Sequence, residues 1–246
     1  MGKKYKNSPI VEAVCEFRLT TDTPWDPTIP GLFYERVKDT FPHREQRLVQ
    51  EVGVTEDRQG IQHQLRLSDR LLLFTEDKKM LFQLGRHLLV VNSLKPYPTW
   101  QRFKPRIEMA WKGLQDVLEI KGLERIGLRY INQIELPVQR VELAEYFEFY
   151  PFVGPSLPQE MAGFIAGVEF TYAEGRDRCR IQLTPTPSSE DDKRAIMLDI
   201  DYFLAQPRAV EAADALDWVE KAHDQIEVIF EGCITDRLRG IFGEVK

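Results

Sequence analysis

The sequence predicts an α+β fold in which a largely antiparallel sheet carries two long helices on one of its faces. Three observations predict it: short segments in which apolar and polar residues alternate, two long segments with an apolar residue every three or four positions, and the same order of elements in both halves of the chain. In each half that order is strand, short helix, antiparallel meander and long helix. We interpret residues 1–121 and 122–246 as two pseudo-repeats that together form one compact domain.

The first half begins with a predicted strand over residues 11–19, where Ala13, Cys15 and Phe17 share one face. A short helix over residues 31–41 follows, and Pro42 ends it. Alternating runs near 45–55, 61–67, 70–75, 80–84 and 87–94 predict a meander, with turns at 57–60, 68–69, 76–79 and 85–86. The apolar spacing from Trp100 to Leu118 predicts a helix of about five turns.

The second half restarts this order with a long strand over 123–136, which Pro137 closes. A short amphipathic helix is predicted over 143–147, and a loop containing prolines over 151–158. Strands are expected at 163–172, 178–184 and 195–203. A final helix of about eight turns is predicted over 214–241.

The composition limits the class of protein. The 246 residues are 43% hydrophobic and 29% charged, which is enough apolar material for one large core or two small ones. Cys15, Cys179 and Cys233 are far apart in the sequence and lie in apolar patterns, so we expect reduced core thiols rather than disulfides or a zinc ribbon. The sequence has neither an apolar run of membrane-spanning length nor a secretion signal at its start, so we expect a soluble cytoplasmic protein.

The charge is distributed unevenly between the halves. Residues 1–121 carry a net charge of +4 and residues 122–246 a net charge of −10. The acidic half would repel phosphates, so nucleic acid is an unfavourable partner. An RNA or DNA site in the basic first half, around Arg102, Lys104 and Arg106, stays open as an alternative, although such residues are also typical of a solvated helix face. The acidic second half could instead bind a basic surface of a partner protein. The opposite net charges of the two halves would also favour association between copies of the chain.

If both long helices cover one face of the sheet, the other face is open and polar. Its predicted binding residues are charged and of both signs: Glu12, Glu16, Arg125, Arg129, Arg178 and Arg180. Glu12 and Glu16 could pair with Arg125 and Arg129 if the leading strands of the two halves are neighbours. Such a surface suits a protein or peptide partner, and it equally suits a sheet that is merely solvated.

Catalytic candidates are few. Asp199 and Asp201 lie two residues apart on one predicted strand, and with Glu169 they could hold Mg²⁺ and a phosphate. Acidic pairs are also common on the wet face of a strand. No histidine lies close enough to another histidine or to a cysteine to predict a metal site, and no cofactor-binding or nucleophile motif is present, so we expect no metal and no cofactor.

The final helix carries apolar residues outside its main stripe. Trp218, Val228 and Phe242 broaden its apolar surface, so this helix needs a second contact, either within the domain or with a partner. We include Trp218 and Phe242 among the candidate binding residues.

Several motifs resemble a sporadically distributed bacterial family of uncharacterised proteins. They are the opening 5–16 (YKNSPIVEAVCE), Asn92-Ser93-Leu94 with Tyr97 and Trp100, the segment 125–132 (RIGLRYIN) and the pair Tyr146-Phe147. The resemblance spans most of the chain and implies no catalytic residue. The patchy distribution of that family resembles that of accessory genes such as defence and toxin-antitoxin modules. The expected arrangement of elements is similar to that of TATA-box-binding protein and other helix-grip folds. A similar fold does not by itself indicate a function.

These observations predict a non-catalytic, cytoplasmic protein-binding adaptor or regulator that forms a complex with another protein. Two alternatives remain: a metal-dependent enzyme acting on nucleotides or phosphate esters through Asp199, Asp201 and Glu169, and a nucleic-acid binder using the first half.

Overall fold

The chain folds as an α+β protein built around one large antiparallel sheet. The computed structural model describes residues 3–57, 60–138, 140–188, 190 and 193–245. A nine-stranded sheet runs through them, with a separate two-stranded sheet formed by β1 (Lys4–Tyr5) and β11 (Glu244–Val245). The strands of the large sheet are β2 (Ile10–Leu19), β3 (His43–Asp57), β4 (Gly60–Phe74), β5 (Met80–Gly85), β6 (Leu88–Leu94), β7 (Leu123–Leu136), β8 (Ala166–Tyr172), β9 (Asp177–Thr186) and β10 (Arg194–Leu204).

The order of strands across the large sheet is β3-β4-β5-β6-β2-β7-β10-β9-β8, and every neighbouring pair is antiparallel. The leading strands of the two halves, β2 and β7, lie side by side in the middle. Glu16 of β2 is opposite Gly127 of β7. The predicted neighbourhood of these two strands is therefore confirmed.

In the part of the chain that the structure describes, four α-helices accompany the sheet: α1 (Ile29–Val37), α2 (Trp100–Gln115), α3 (Ala215–Cys233) and α4 (Asp236–Phe242). The helix α2 packs on β6 and on α1, and α3 packs on β7 and β10. The stripe predicted for α2 is confirmed, since Phe103, Ile107 and Leu114 are fully buried. No helix among the described residues is both long and apolar enough to cross a membrane.

The core lies between the helices and one face of the sheet. Alternation decides which side chains enter it: Ala13, Cys15 and Phe17 of β2 are fully buried, whereas the residues between them are half exposed. Phe17 stacks on Trp111 of α2 with ring centroids 4.4 Å apart, which joins the sheet to the helix layer. All three cysteines are free and buried in this core, as the sequence predicts.

Several expected boundaries differ from the structure. The helix predicted over 31–41, with Pro42 at its end, spans Ile29–Val37 instead. The predicted turn at residues 68–69 does not form, because β4 continues through these positions and pairs with β3 along its whole length. The predicted helix over 143–147 is only a short 3-10 turn, Leu143–Glu145.

The predicted final helix is interrupted at Ile234, which has an extended backbone and bridges to Phe147. Thr235 then starts α4, since its side-chain oxygen accepts a hydrogen bond from the Leu238 amide. The Thr235 amide donates to the Tyr146 carbonyl at 3.0 Å. Hydrogen bonds to the segment 145–148 therefore replace those that a continuous helix would have made.

Candidate functional site

The sheet face opposite the helices carries eleven charged side chains on the five adjoining strands β2, β7, β10, β9 and β8, and we call this surface the open face. Its members are Glu12, Glu16 and Arg18 of β2, Arg125, Arg129 and Glu135 of β7, Asp199 and Asp201 of β10, Arg178 and Arg180 of β9, and Glu169 of β8. Five arginines thus face six carboxylates. The side chains of the predicted polar face do share one side of the sheet, and each of the five arginines is paired with a carboxylate.

The register places four of these charges in one row across four neighbouring strands. Glu169 is opposite Arg180, Arg180 is opposite Asp201, and Asp201 is opposite Arg129. Opposite charges that face each other across strands stabilise a sheet. Several of the hydrogen-bonded ion pairs join a residue of this row to a residue of the next row along the strands. These pairs therefore connect successive rows.

Arg125 is the centre of the largest ion-pair group. Its Nη1 donates to Oε1 of Glu16 at 2.9 Å, and its Nη2 donates to both oxygens of Asp201 at 2.8 and 3.0 Å. Arg18 donates to Glu16 as well, at 2.8 Å. The Arg125 guanidinium also lies over the ring of Phe203, 4.8 Å from its centroid.

The two carboxylates that share Arg125 have opposite pKa shifts. Burial disfavours the charged form of Glu16, but the charges and hydrogen bonds of Arg125 and Arg18 outweigh it and lower the pKa of Glu16. Burial raises the pKa of Asp201, and Arg125 and Arg129 offset it only in part. Glu16 accepts hydrogen bonds from both of its arginines, whereas Arg129 acts on Asp201 through its charge alone and the charge of Glu16 adds to the rise in the pKa of Asp201.

Gly127 makes room for this group. A Cβ atom at this position would collide with the Arg125 guanidinium, which therefore lies flat against the strand. Gly127 is the cross-strand partner of both Glu16 and Phe203, so it sits directly beneath the ion pairs. The glycine of the RIGLRYIN motif thus has a steric role.

The predicted pairing of Glu12 and Glu16 with Arg125 and Arg129 is half confirmed. Glu16 does bind Arg125, but Arg129 instead donates from Nε and Nη2 to the two oxygens of Asp199. Glu12 accepts a hydrogen bond from the Asn92 side chain at 2.7 Å. Register alone does not decide between these partners, because Arg129 lies diagonal both to Glu12 on β2 and to Asp199 on β10.

Two shallow clefts lie between these side chains. The larger, about 300 Å³, is lined by Glu16, Arg18, Arg125 and Arg129 among others. The smaller, about 110 Å³, is lined by Arg180, Gln182, Asp199 and Asp201 together with Arg129. Both clefts have charged walls of both signs.

The acidic trio proposed from the sequence does not form one site. Asp199 and Asp201 are bound by different arginines, and Glu169 is held by Arg178 and Arg180 at 3.0 Å each. Burial opposes ionisation of Glu169, but the hydrogen bonds from Arg180 and Arg178 lower its pKa. Within the described part of the chain, no three His, Cys, Asp or Glu side chains are arranged to hold a metal ion.

Trp218 and Phe242 correct the expectation of a binding surface on the last helix, because both are 4% exposed. The Trp218 Nε1 donates to Asp177 at 2.9 Å inside the core. Phe242 packs edge-on against Tyr5 with centroids 5.4 Å apart. The second contact that these residues need is made within the chain. Val228, in contrast, is exposed on α3.

Another exposed apolar group was missed by sequence reasoning. Of the nine large hydrophobic side chains that are exposed among the described residues, six fall between residues 150 and 170. They are Tyr150, Phe152, Leu157, Met161, Ile165 and Phe170. The signal available in the sequence was a proline-containing segment over residues 150–165 with seven large apolar residues, no periodicity and Glu160 as its single charge.

Residues 150–165, which we call the apolar segment, have a defined local structure. The Leu157 amide donates to the Gly154 carbonyl at 3.1 Å, and the Gln159 side chain donates to the carbonyls of Gly154 and Leu157 at 3.0 and 2.8 Å. Phe149 and Phe164 pack against the core at the two ends. The apolar segment is therefore anchored at both ends while Phe152 is 87% exposed and Ile165 is 77% exposed.

The comparisons with known proteins add no relative. No protein-family model matches the chain, and no curated protein matches it.

Proposed function

We propose that this chain is a non-catalytic adaptor or regulator that binds another protein in the cytoplasm, as part of an accessory system of the defence or toxin-antitoxin kind. The observation that supports it most is the concentration of exposed apolar side chains in the apolar segment and on β8. Apolar and aromatic side chains gathered on one part of a surface are typical of protein interfaces.

The open face supports the same proposal. Its arginines are matched by carboxylates, so it lacks the excess of positive charge that phosphates would require. In an interface, a polar surface with both signs of charge fixes how the two proteins are aligned and disfavours partners with the wrong charge pattern. We propose that Glu12, Glu16, Arg125, Arg129, Arg178 and Arg180 contribute to specificity, and that the apolar segment contributes most of the binding free energy.

We also propose that the fold arose by internal duplication, in the manner of helix-grip folds and TATA-box-binding protein. The strand order supports this interpretation. Beside the central pair β2 and β7 lie β6 and β10, and each of these strands is followed in the chain by a long helix. The two halves thus place corresponding elements on opposite sides of the middle of the sheet.

The test uses photo-crosslinking in the host. A benzoylphenylalanine is introduced in place of Phe152, and in a matched control in place of Val228, which is 68% exposed on α3. We expect one protein adduct at position 152 and none at 228. The adduct partner is then purified, and its affinity is measured by calorimetry against the wild type, the F152A/I165A variant and the V228A variant.

The expected result is a loss of affinity of about tenfold or more for F152A/I165A, with V228A within about twofold of the wild type. Equal affinity for all three proteins would overturn the proposal. An adduct with a second copy of this chain would contradict a separate partner.

A further inference from the structure

The strand β8 is the last strand of the sheet on the side of the second half. It pairs with β9 over its whole length without a register shift, and among the described residues no strand pairs with its outer side. The outer edge therefore presents backbone amides and carbonyls that can pair with another chain. Sheet edges are commonly protected by prolines, bulges or several charges. β8 has no proline, no bulge and one charged residue, Glu169.

The helix-side face of β8 is only partly covered. Cys179, Ile181 and Leu183 of β9 are buried on this face. Their neighbours Val168 and Phe170 on β8 are half-buried and exposed, respectively. The helix α3 packs on β7 and β10, which lie farther from this edge. The apolar layer of the core therefore continues onto β8, where Phe170 is 47% exposed, and an added strand with apolar residues on this side would extend it.

The other face of β8 carries charge. Glu169 is bound through Oε1 by Arg178 and through Oε2 by Arg180, each at 3.0 Å. Two guanidinium groups on one carboxylate leave one net positive charge at this edge. Both arginine side chains are at least half exposed, at 50% and 59%. A carboxylate on an added strand could therefore accept a hydrogen bond from either of them.

We infer that β8 is a docking edge that accepts, as a tenth strand, an extended segment of another protein in which apolar and acidic residues alternate. The apolar residues would lie beside Val168 and Phe170, and the acidic residues on the face of Glu169, to which the side chains of Arg178 and Arg180 reach across from β9. Because side chains alternate along a strand, one segment can satisfy both faces. This inference rests on the proposed function and specifies the mode of binding at this edge.

Charge argues against a second copy as the occupant. If two copies paired β8 with β8, each would bring a cluster of Glu169, Arg178 and Arg180 with one net positive charge. Two clusters with the same net charge repel each other when they are brought together at one edge. An acidic partner segment balances the charge instead.

The experiment measures hydrogen exchange of the β8 amides in the full chain with two synthetic peptides of about nine residues each. One peptide alternates valine with glutamate, and the other alternates valine with lysine. The glutamate peptide is expected to slow exchange at the outward amides of β8 by about tenfold or more at saturation. The lysine peptide is expected to bind about tenfold more weakly.

Two variants separate the contributions of charge and of apolar contact to peptide binding. R178Q/R180Q should reduce the preference for the glutamate peptide, and F170K should weaken both peptides. V228K, a charge placed on an exposed apolar position of α3, should leave binding of both peptides unchanged. Equal binding of the two peptides by the wild-type protein would overturn the inference. Protection of β8 that instead rises with the concentration of this protein alone would also overturn it, in favour of a second copy.

The two experiments together distinguish failure of strand addition at β8 from failure of the proposed adaptor function. If a partner is crosslinked at position 152 but the β8 amides are not protected in the purified complex, the adaptor proposal survives and strand addition is refuted. If no partner is crosslinked and neither peptide protects β8, both are refuted.

Discussion

Trp218 donates its indole N–H to the carboxylate of Asp177 at 2.9 Å, across 41 residues of sequence. Asp177 is 2% exposed and also accepts hydrogen bonds from Arg176 and Tyr202. Burial, followed by the charge of Asp177, raises the pKa of Tyr202 well above its usual value, so this hydroxyl remains a donor at neutral pH. The first residue of β9 is thus fixed to both β10 and α3.

We predict that W218F lowers the free energy of unfolding by about 2 to 3 kcal/mol, because a buried carboxylate loses one of its donors. The matched control is W100F, which removes a similar indole volume from a buried site. The Trp100 indole donates to Glu220, which is near the surface and also binds Lys104. Urea denaturation of both variants measures the difference. Equal losses would show that volume alone matters.

Gly127 gives a second prediction. The G127A variant should displace the Arg125 guanidinium and weaken its hydrogen bonds to Glu16 and Asp201, so we expect a loss of about 1 kcal/mol in the free energy of unfolding. Alanine ordinarily stabilises a strand relative to glycine. The control G167A, where an added Cβ has an ordinary contact distance, should be neutral or stabilising. A stabilised G127A variant would contradict this steric role.

The sequence could predict those features that depend on local periodicity. Because the side-chain period of a strand is two, Glu16 and Arg125 could be placed on the same face before the fold was known. The partner of Glu12 could not, since Asn92 reaches it only through the order and register of β6 beside β2. Trp218 and Phe242 were misjudged for the same reason: Asp177 and Tyr5, which contact them, are distant in sequence.

The interruption of the last helix leads to a third prediction. The Thr235 hydroxyl donates to the Glu145 carbonyl at 2.7 Å and accepts from the Leu238 amide, so it serves both the cap of α4 and its attachment to the preceding segment. We expect T235A to lower the free energy of unfolding by about 1 kcal/mol and to speed hydrogen exchange within α4. T235S keeps the hydroxyl and should behave as the wild type. An unchanged T235A would mean that the extended Ile234 is held by backbone bonds alone.

Glu16 provides a prediction about pH. Its pKa lies below the ordinary value of 4.5 because Arg125 and Arg18 outweigh the effect of burial. A carboxylate whose pKa is lowered on folding binds fewer protons in the folded state, so its stabilising contribution is complete above the unfolded pKa and is lost as the pH falls through the folded pKa. E16Q should therefore be less stable than the wild type by about 2 kcal/mol near neutral pH. This difference should shrink steadily as the pH falls below about 4.5, because the protonated Glu16 of the wild type then resembles glutamine.

The control E12Q should lose less near neutral pH, since its partner is the neutral Asn92 amide and a glutamine oxygen can still accept that bond. Denaturation curves recorded at several pH values measure both variants. A difference between E16Q and the wild type that stays constant into the acid range would show that the Glu16 side chain acts through packing and not through its charge.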